Sequence, residues 1–149
     1  MKPLVVLIAV FGLALAFTFL FAGEADVDSS GRVAMSAMLL FTSIGHFKFK
    51  KGMAAMLPPF VPAREAIVLF TGVIEIVGAI GLLIPSTRHI TAICLIIFFV
   101  LILPANIYAS MKNLNYETGA YDGNGMKYLW FRVPLQVIFI LWVYWFALR

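Results

Sequence analysis

The sequence predicts an all-α fold, a polytopic helical bundle in a membrane. Hydrophobic residues make up 63% of the 149 positions and charged residues only 12%. The mean hydropathy of +1.02 is far above what a soluble domain of this size needs. The apolar residues form blocks of about 17–23 residues, which is typical of spanning helices, whereas a membrane barrel would show short alternating segments. One membrane domain covering residues 1–149 is expected.

The first apolar block predicts a transmembrane helix over residues 3–22. It follows Lys2, and a basic residue before an apolar run is also typical of a secretory signal peptide. The run is longer than the usual apolar region of about 7–15 residues in such peptides and lacks a small-x-small cleavage site. We therefore interpret it as an uncleaved spanning helix. Residues 23–31 are acidic and lack aromatic side chains, so they predict a short solvated loop.

The second helix is predicted over residues 32–47, where small residues such as Ser36 and Gly45 permit close packing of helices in lipid. The segment 52–62 that follows holds three prolines within five positions, which forbid a regular helix. We expect this segment to lie along the headgroup region or to fold partly back into the bundle.

Three more apolar blocks predict helices over residues 64–84, 89–110 and 128–148. Pro104 is expected to kink the middle one of these, because a proline frees a carbonyl one turn earlier. The connection before the last helix is polar and rich in Gly and Asn. The tryptophans fit the aromatic belts found at membrane interfaces; they are Trp130, Trp142 and Trp145.

Five crossings place the two termini on opposite sides, and the basic residues indicate which side is which. With the N-terminus cytoplasmic, eight of the eleven Lys and Arg residues lie at or near the cytoplasmic face, which leaves Arg32, Arg88 and Arg149 outside. The expected location is the plasma or inner cell membrane, with a cytoplasmic N-terminus and an external C-terminus. Nucleic acid is not expected as a partner despite the net charge of +4, because the basic residues lie at helix ends and form no stripe with interleaved aromatics.

Glu75 lies near the middle of the helix predicted over residues 64–84. A carboxylate at that depth costs about 2.5–3.5 kcal/mol on insertion scales, so we expect it to face protein rather than lipid. At about 1.5 Å of rise per residue, the polar residues inside the other helices fall in the same, cytoplasmic leaflet. We predict one polar cluster there and treat it as a candidate ligand-binding site; its members are His46, Glu75, Asn106, Arg132 and Gln136.

A purely structural role explains the same residues. Glu75 and Arg132 can form a buried ion pair that holds the helices in register, and Asn106 can satisfy carbonyls freed by the proline before it. Independent redox chemistry has little support, because Cys94 is the single cysteine and no internal disulfide can form. The His, Cys, Asp and Glu residues show no metal-ligand spacing, so no metal site is expected.

Several short motifs between about residues 32 and 145 resemble those of the DoxX family of small integral membrane proteins. They are G-H-F at 45–47, M-L-P-P-F-V-P at 56–62, G-V-I-E-I-V-G-A-I-G-L-L-I-P-S-T-R at 72–88, L-P-A-N-I-Y at 103–108 and R-V-P-L-Q at 132–136. The resemblance implies a four-helix membrane bundle, which corresponds here to the second through fifth predicted helices. The leading helix departs from the family pattern and adds an N-terminal transmembrane helix to that core.

The resemblance also implies a function. DoxX-family members are associated with thiosulfate:quinone oxidoreductase subunits and with membrane complexes that join sulfurtransferase and superoxide dismutase in thiol or oxidative stress defence. The family's recurrent polar positions correspond to the five residues of the predicted cluster. The implied role is a redox-associated subunit that binds a quinone or a related lipophile, with redox partner subunits or a second copy of itself as partners. The alternative is a non-enzymatic structural or assembly protein, and whether the chain is an enzyme stays open.

Overall fold

A computed structural model describes residues 2–123 and 125–149, and in these residues all regular structure is helical. The elements are α1 (Lys2–Ala22), α2 (Val27–Lys48), the short α3 (Lys50–Ala54), α4 (Arg64–Leu83), α5 (Arg88–Met111) and α6 (Gly125–Val143), which continues as a π-helical turn (Tyr144–Leu148). The predicted all-α bundle is confirmed. The five predicted long helices correspond to α1, α2, α4, α5 and α6.

Within the described residues, four helical stretches are long and apolar enough to cross a membrane: α1, α4, α5 and α6 with its π-helical turn. The chain is therefore a multi-pass membrane protein. The fifth predicted crossing, α2, is not among these four, because serines, a threonine and charged residues interrupt its apolar sequence. Its 22 residues nevertheless measure about 33 Å at 1.5 Å per residue.

The contacts of α2 show that it runs the length of the bundle between α1 and α4. Near its middle, the Ser36 hydroxyl donates to the carbonyl of Ala79 at 2.8 Å, and near its end His46 lies 3.1 Å from the carbonyl of Val68. These contacts make α2 antiparallel to α4. A tight turn, in which the Asp26 amide donates to the Thr18 hydroxyl, makes α2 antiparallel to α1 as well. The helix thus covers the same depth as two of the spanning helices.

Three predicted boundaries are corrected. Helix α2 begins at Val27 rather than at residue 32, because Asp26 caps it by accepting a hydrogen bond from the Ser29 amide at 2.9 Å. The solvated loop predicted over residues 23–31 is therefore only four residues long. Part of the segment 52–62 is helical, since α3 ends at Ala54, before the first of its prolines. Helix α6 begins at Gly125, three residues before the predicted start.

The apolar core lies where α2, α4, α5 and α6 meet. Its fully buried side chains include Met35, Met38, Leu39, Leu82 and Leu95. Helix α1 contributes Leu7 to this core, while side chains such as Leu20 and Phe21 on its other face are largely exposed. Helix α1 therefore packs on the outside of the other four long helices, mainly along α2. This arrangement agrees with a four-helix core and an additional N-terminal helix.

Gly72 lets α4 approach α2 closely at the end of α2 that carries His46. A Cβ atom at this position would lie 2.8 Å from the Cβ of His46 and 3.3 Å from the ring of Phe47. Gly52 has a similar effect on α3, because a Cβ there would collide with the carbonyl oxygen of Tyr116. Together the two glycines bring α3, α4 and the loop after α5 around the end of α2.

The two ends of the bundle are joined by polar contacts between distant parts of the chain. At one end, the Lys2 ammonium donates to Glu117 in the loop before α6 at 3.0 Å. At the other end, Arg32 donates to the carbonyl of Phe146 at 3.0 Å. The Trp142 indole donates to the carbonyl of Gly31 at 2.9 Å, so this tryptophan joins α6 to α2. The N-terminal and C-terminal residues consequently lie at opposite ends of the molecule.

Candidate functional site

A cavity of about 350 Å³ lies between α2, α4, α5 and α6, toward the Lys2 end of the bundle. All five residues of the predicted polar cluster line it: His46, Glu75, Asn106, Arg132 and Gln136. Most of the remaining wall is apolar and includes Met38, Leu39, Phe99, Leu135 and Phe139. The cavity has the size and the mixed lining of a small-molecule site.

The cavity reaches the outer surface of the bundle. Phe41 and Ile44 on α2 and Ile67 on α4 belong to its lining and are exposed on the surface of the chain. In a membrane this surface contacts acyl chains, so an apolar molecule can enter from the lipid without crossing water. The charged pair Lys2 and Glu117 also belongs to the lining, at the end of the bundle. The Lys2 ammonium, through its hydrogen bond, holds the pKa of the Glu117 carboxyl below its usual value.

Glu75 is the most deeply placed acid of the cavity, with only 5% of its surface exposed. Its Oε1 atom lies 3.5 Å from Nε2 of His46, which is ion-pair distance. The sequence allows an ion pair of Glu75 with Arg132, and the structure places His46 at ion-pair distance from Glu75. The reason is the close approach of α2 and α4 at Gly72, which places the His46 ring one turn from Glu75 along α4.

The other ring nitrogen of His46 is held by backbone and side-chain groups of α4. Nδ1 lies 3.1 Å from the carbonyl oxygen of Val68 and 2.9 Å from the hydroxyl oxygen of Thr71. The Thr71 hydroxyl in turn lies 2.7 Å from the same carbonyl oxygen, to which it donates. Because a carbonyl only accepts, the Val68 contact is a hydrogen bond when Nδ1 carries a hydrogen. This arrangement orients the ring so that Nε2 faces Glu75.

The second oxygen of Glu75 lacks a partner. Oε2 is buried, and within residues 2–123 and 125–149 the structure shows no hydrogen bond to it. An unsatisfied buried acceptor costs about 1–3 kcal/mol, and more when it is charged. A donor supplied by a bound molecule would remove this cost, so Oε2 marks a point in the cavity where a hydrogen-bond donor is favoured.

Asn106 and Gln136 face the cavity and also make hydrogen bonds within the bundle. The Gln136 side chain on α6 donates to the carbonyl of Phe99 on α5 at 2.8 Å. The Asn106 side chain donates to the carbonyl of Ile102 at 3.2 Å. Pro104 frees the carbonyl of the residue four positions earlier, residue 100. We expected Asn106 to donate to that carbonyl, but it donates to the carbonyl of Ile102 instead. Both amide side chains therefore have structural contacts in addition to their place on the wall.

Arg132 brings a positive charge to the same wall. It lies on α6 four residues before Gln136, and these two residues share one face of that helix. The ion pairs among the described residues join Glu75 to His46, Lys2 to Glu117 and Lys50 to Glu65, so the predicted pair of Glu75 with Arg132 is not formed. Arg132 lines the cavity, and its guanidinium places a positive charge in that wall.

Some residues of the site were not among those predicted. Thr71 shares a helix face with Glu75, and that spacing is a signal in the sequence, but its bond to His46 depends on how α2 packs against α4. The pair of Lys2 and Glu117 spans 115 positions, and no local pattern indicates it. Among the described residues, no group of three His, Cys, Asp or Glu side chains is placed to hold a metal ion.

Comparison with known proteins places the chain in a family by sequence. Neither the curated proteins nor the solved structures contain a match to it. Residues 35–147 match a protein-family description, the domain of unknown function DUF8561. This range covers well over half of the chain and includes all five cavity residues of the predicted cluster. The chain therefore belongs to the DUF8561 family.

Proposed function

We propose that this protein binds a lipophilic molecule with a polar head, of the quinone type, in the cavity at Glu75. The observation that carries the proposal is a largely apolar cavity that reaches exposed apolar residues on the outside of the bundle and has in its wall a buried carboxylate oxygen without a hydrogen-bond partner among the described residues. An apolar slot with a few polar groups at fixed positions is the usual form of such a site. The resemblance to the DoxX family supports the same reading, with a role in redox or thiol-stress chemistry.

The residues of the cavity fit such a ligand. A flat ring can lie between Phe99, Leu135 and Phe139, and an attached chain can extend toward the exposed Phe41 and Ile44. A bound quinone would supply the electron transfer that the side chains lack, and redox partner subunits would exchange electrons with it. The chain's own residues bind the head, orient the ring and exclude water.

We place the cavity in the cytoplasmic half of a plasma or inner cell membrane. Eight of the eleven basic residues then lie at or near the cytoplasmic face, as the positive-inside rule requires. Lys2, Lys48 and Glu117 form the polar rim of the cavity on that side.

A filled cavity tests binding. Purified protein in detergent is titrated with a decyl-substituted benzoquinone, using wild type, Ala105→Phe and Ala16→Phe. Ala105 lines the cavity, whereas Ala16 is exposed on α1, so the same substitution occludes the site in one case only. We expect saturable binding by wild type and Ala16→Phe, and an affinity at least about tenfold lower for Ala105→Phe. Binding that is absent, or equal in all three proteins, contradicts the proposal.

A structural or assembly role is the second candidate. It is favoured by the side chains of Gln136 and Asn106, which donate to backbone carbonyls inside the bundle. On this view the polar cluster holds α5 and α6 together, and no ligand is needed. The titration separates the two candidates, because a structural protein shows no saturable binding to wild type.

A further inference from the structure

We propose that the head group bound at Glu75 is a hydroxyl that donates a hydrogen bond to Oε2. The ligand class is then a lipophilic phenol, which among quinone-type molecules means the reduced, hydroquinone form. This inference rests on the proposed function, because it specifies which head group the same cavity selects. It follows from the hydrogen-bonding capacity of the atoms around Glu75, taken one at a time.

The Glu75 carboxyl has one oxygen engaged and one unengaged. Oε1 faces His46 Nε2 at 3.5 Å, while Oε2 is buried and has no hydrogen-bond partner among the described residues. Only 6% of the side-chain surface is exposed. The protein itself thus supplies no partner for Oε2, so a molecule in the cavity is the source of one.

Oε2 accepts a hydrogen bond wherever the proton between His46 and Glu75 resides. If the proton is on Nε2, Glu75 is a carboxylate and both of its oxygens are acceptors. If the proton is on Oε1, that oxygen donates to Nε2, and Oε2 is the carbonyl oxygen of a neutral acid, again an acceptor. If Thr71 instead turns its hydroxyl hydrogen to Nδ1, Nε2 carries the hydrogen that faces Oε1, and Oε2 is an acceptor when Glu75 is a carboxylate.

An acceptor in this position discriminates between the two redox forms of a quinone. The oxidised form carries only carbonyl oxygens at its head, and these cannot donate to Oε2. A phenol or a hydroquinone carries a hydroxyl, which can donate to Oε2 while the ring lies against the apolar wall. Arg132 lines the same cavity and can donate to either form, so the discrimination falls to Glu75.

The amide side chains of the wall do not reverse this preference. Gln136 uses its amide nitrogen on the carbonyl of Phe99, and Asn106 uses its own on the carbonyl of Ile102. Each amide nitrogen thus has one of its two N–H groups on the bundle, and the second can donate to an oxygen of either redox form, so it does not discriminate between them. The polar part of the cavity nearest Glu75 is suited to a donor.

A matched pair of ligands without redox chemistry tests the inference. Wild-type protein in detergent is titrated with para-nonylphenol and with its methyl ether, which differ mainly in the one hydroxyl hydrogen. We expect the phenol to bind about tenfold more tightly than the ether. In Glu75→Gln the neutral amide is a weaker acceptor, and the ratio is expected to fall to about threefold or less. A thermal unfolding curve of this variant verifies that it is folded.

The outcomes separate this inference from the proposed function. Equal binding of the two compounds to wild type, or tighter binding of the ether, overturns the hydroxyl preference and leaves lipophile binding intact. If neither compound binds but decyl-benzoquinone does, the hydroxyl preference is overturned and the proposed function stands; if none of the three binds saturably, the proposed function itself is overturned. An unchanged ratio in folded Glu75→Gln shows that the hydroxyl binds elsewhere and also overturns the inference. Under anaerobic conditions, decyl-hydroquinone is likewise expected to bind more tightly than decyl-benzoquinone.

Discussion

Gly72 controls the contact on which the candidate site depends. Its position opposite the Cβ of His46 allows α2 and α4 to approach until the His46 ring reaches both Thr71 and Glu75. The contact involves atoms close to both backbones, so neither side chain can rotate away to make room for a larger residue. The distance between α2 and α4 at this point therefore depends on Gly72 having no side chain.

Replacing Gly72 by Ala is expected to destabilise the protein and weaken the site. The added Cβ would lie 2.8 Å from the Cβ of His46, so α2 and α4 must separate. We expect the free energy of unfolding to fall by about 1–3 kcal/mol, as for other overpacked cores. The measurement is a denaturation curve in detergent, together with the affinity for para-nonylphenol.

Gly12→Ala is the matched control for that substitution. Gly12 is also helical, and an added Cβ would have no atom within 4 Å. The smaller conformational entropy loss of Ala is then expected to raise stability by up to about 1 kcal/mol. Equal losses of stability in the two variants would show that the contact with His46 has no special importance.

At the scale of elements, α2 is the helix that combines the most polar residues with the most central position. It packs along both α1 and α4; its Ser36 hydroxyl donates to a carbonyl of α4, and its Arg32 donates to a carbonyl of the C-terminal turn. A polar helix can lie at this depth because neighbouring helices cover it. The polar start of α2 is helical for a separate reason, namely the cap at Asp26.

Removing the cap at Asp26 is expected to shorten α2 and to cost about 0.5–1 kcal/mol of stability, the low end for exposed caps. The bonds from the Ser29 side chain and amide lower the pKa of Asp26. A lowered folded pKa means that the stabilising contribution is present above the unfolded pKa and is lost as the pH falls through the folded one. Asp26→Ala should therefore reduce stability at neutral pH and differ less from wild type in acid.

Asp26→Asn is the control for the charge of that cap. Asn caps helices about as well as Asp but does not titrate, so this variant should keep most of the stability at neutral pH. Circular dichroism and thermal unfolding at several pH values measure both effects. A loss in Asp26→Asn as large as in Asp26→Ala would assign the effect to charge rather than to capping.

At the scale of the whole molecule, antiparallel packing separates the ends of the chain. The Lys2 end contacts the loop before α6, and the residues around Phe146 contact the start of α2. The cavity lies toward the Lys2 end, where most basic residues of the chain also lie. The orientation of the chain in the membrane therefore decides from which compartment the charged rim of the cavity is reached.

Reporter fusions test the proposed orientation. A reporter active only outside the cytoplasm is fused after Arg149 or, in a truncated chain, after Lys112, which follows α5. We expect activity for the first fusion and none for the second, because α6 crosses between these two positions. A reporter active only in the cytoplasm should give the opposite pattern. A cytoplasmic C-terminus would contradict five crossings with a cytoplasmic N-terminus.

Much of the candidate site can be predicted from the free-energy cost of placing a carboxylate inside a membrane. Because a buried acid in a membrane must face protein, Glu75 predicts the side of α4 that packs inward, and depth along the helices selects His46, Asn106, Arg132 and Gln136 as its neighbours. All of these line one cavity. The sequence alone left the direct partner of Glu75 open, since a guanidinium and an imidazole can both satisfy an acid, and the structure places His46 beside it. Which of them comes within reach depends on helix packing.

The amino-acid sequence by itself determined the all-α class, the number and approximate limits of the long helices, and the set of polar residues that gather inside the bundle. These depend on hydropathy, turn residues and the cost of polar groups in lipid, which are local properties of the chain. Tertiary structure alone decided that His46 faces Glu75, that Oε2 is left without a protein partner and that a cavity opens beside it. These depend on the close approach of α2 and α4 at Gly72, because distances of a few ångströms between helices arise only when their surfaces pack together.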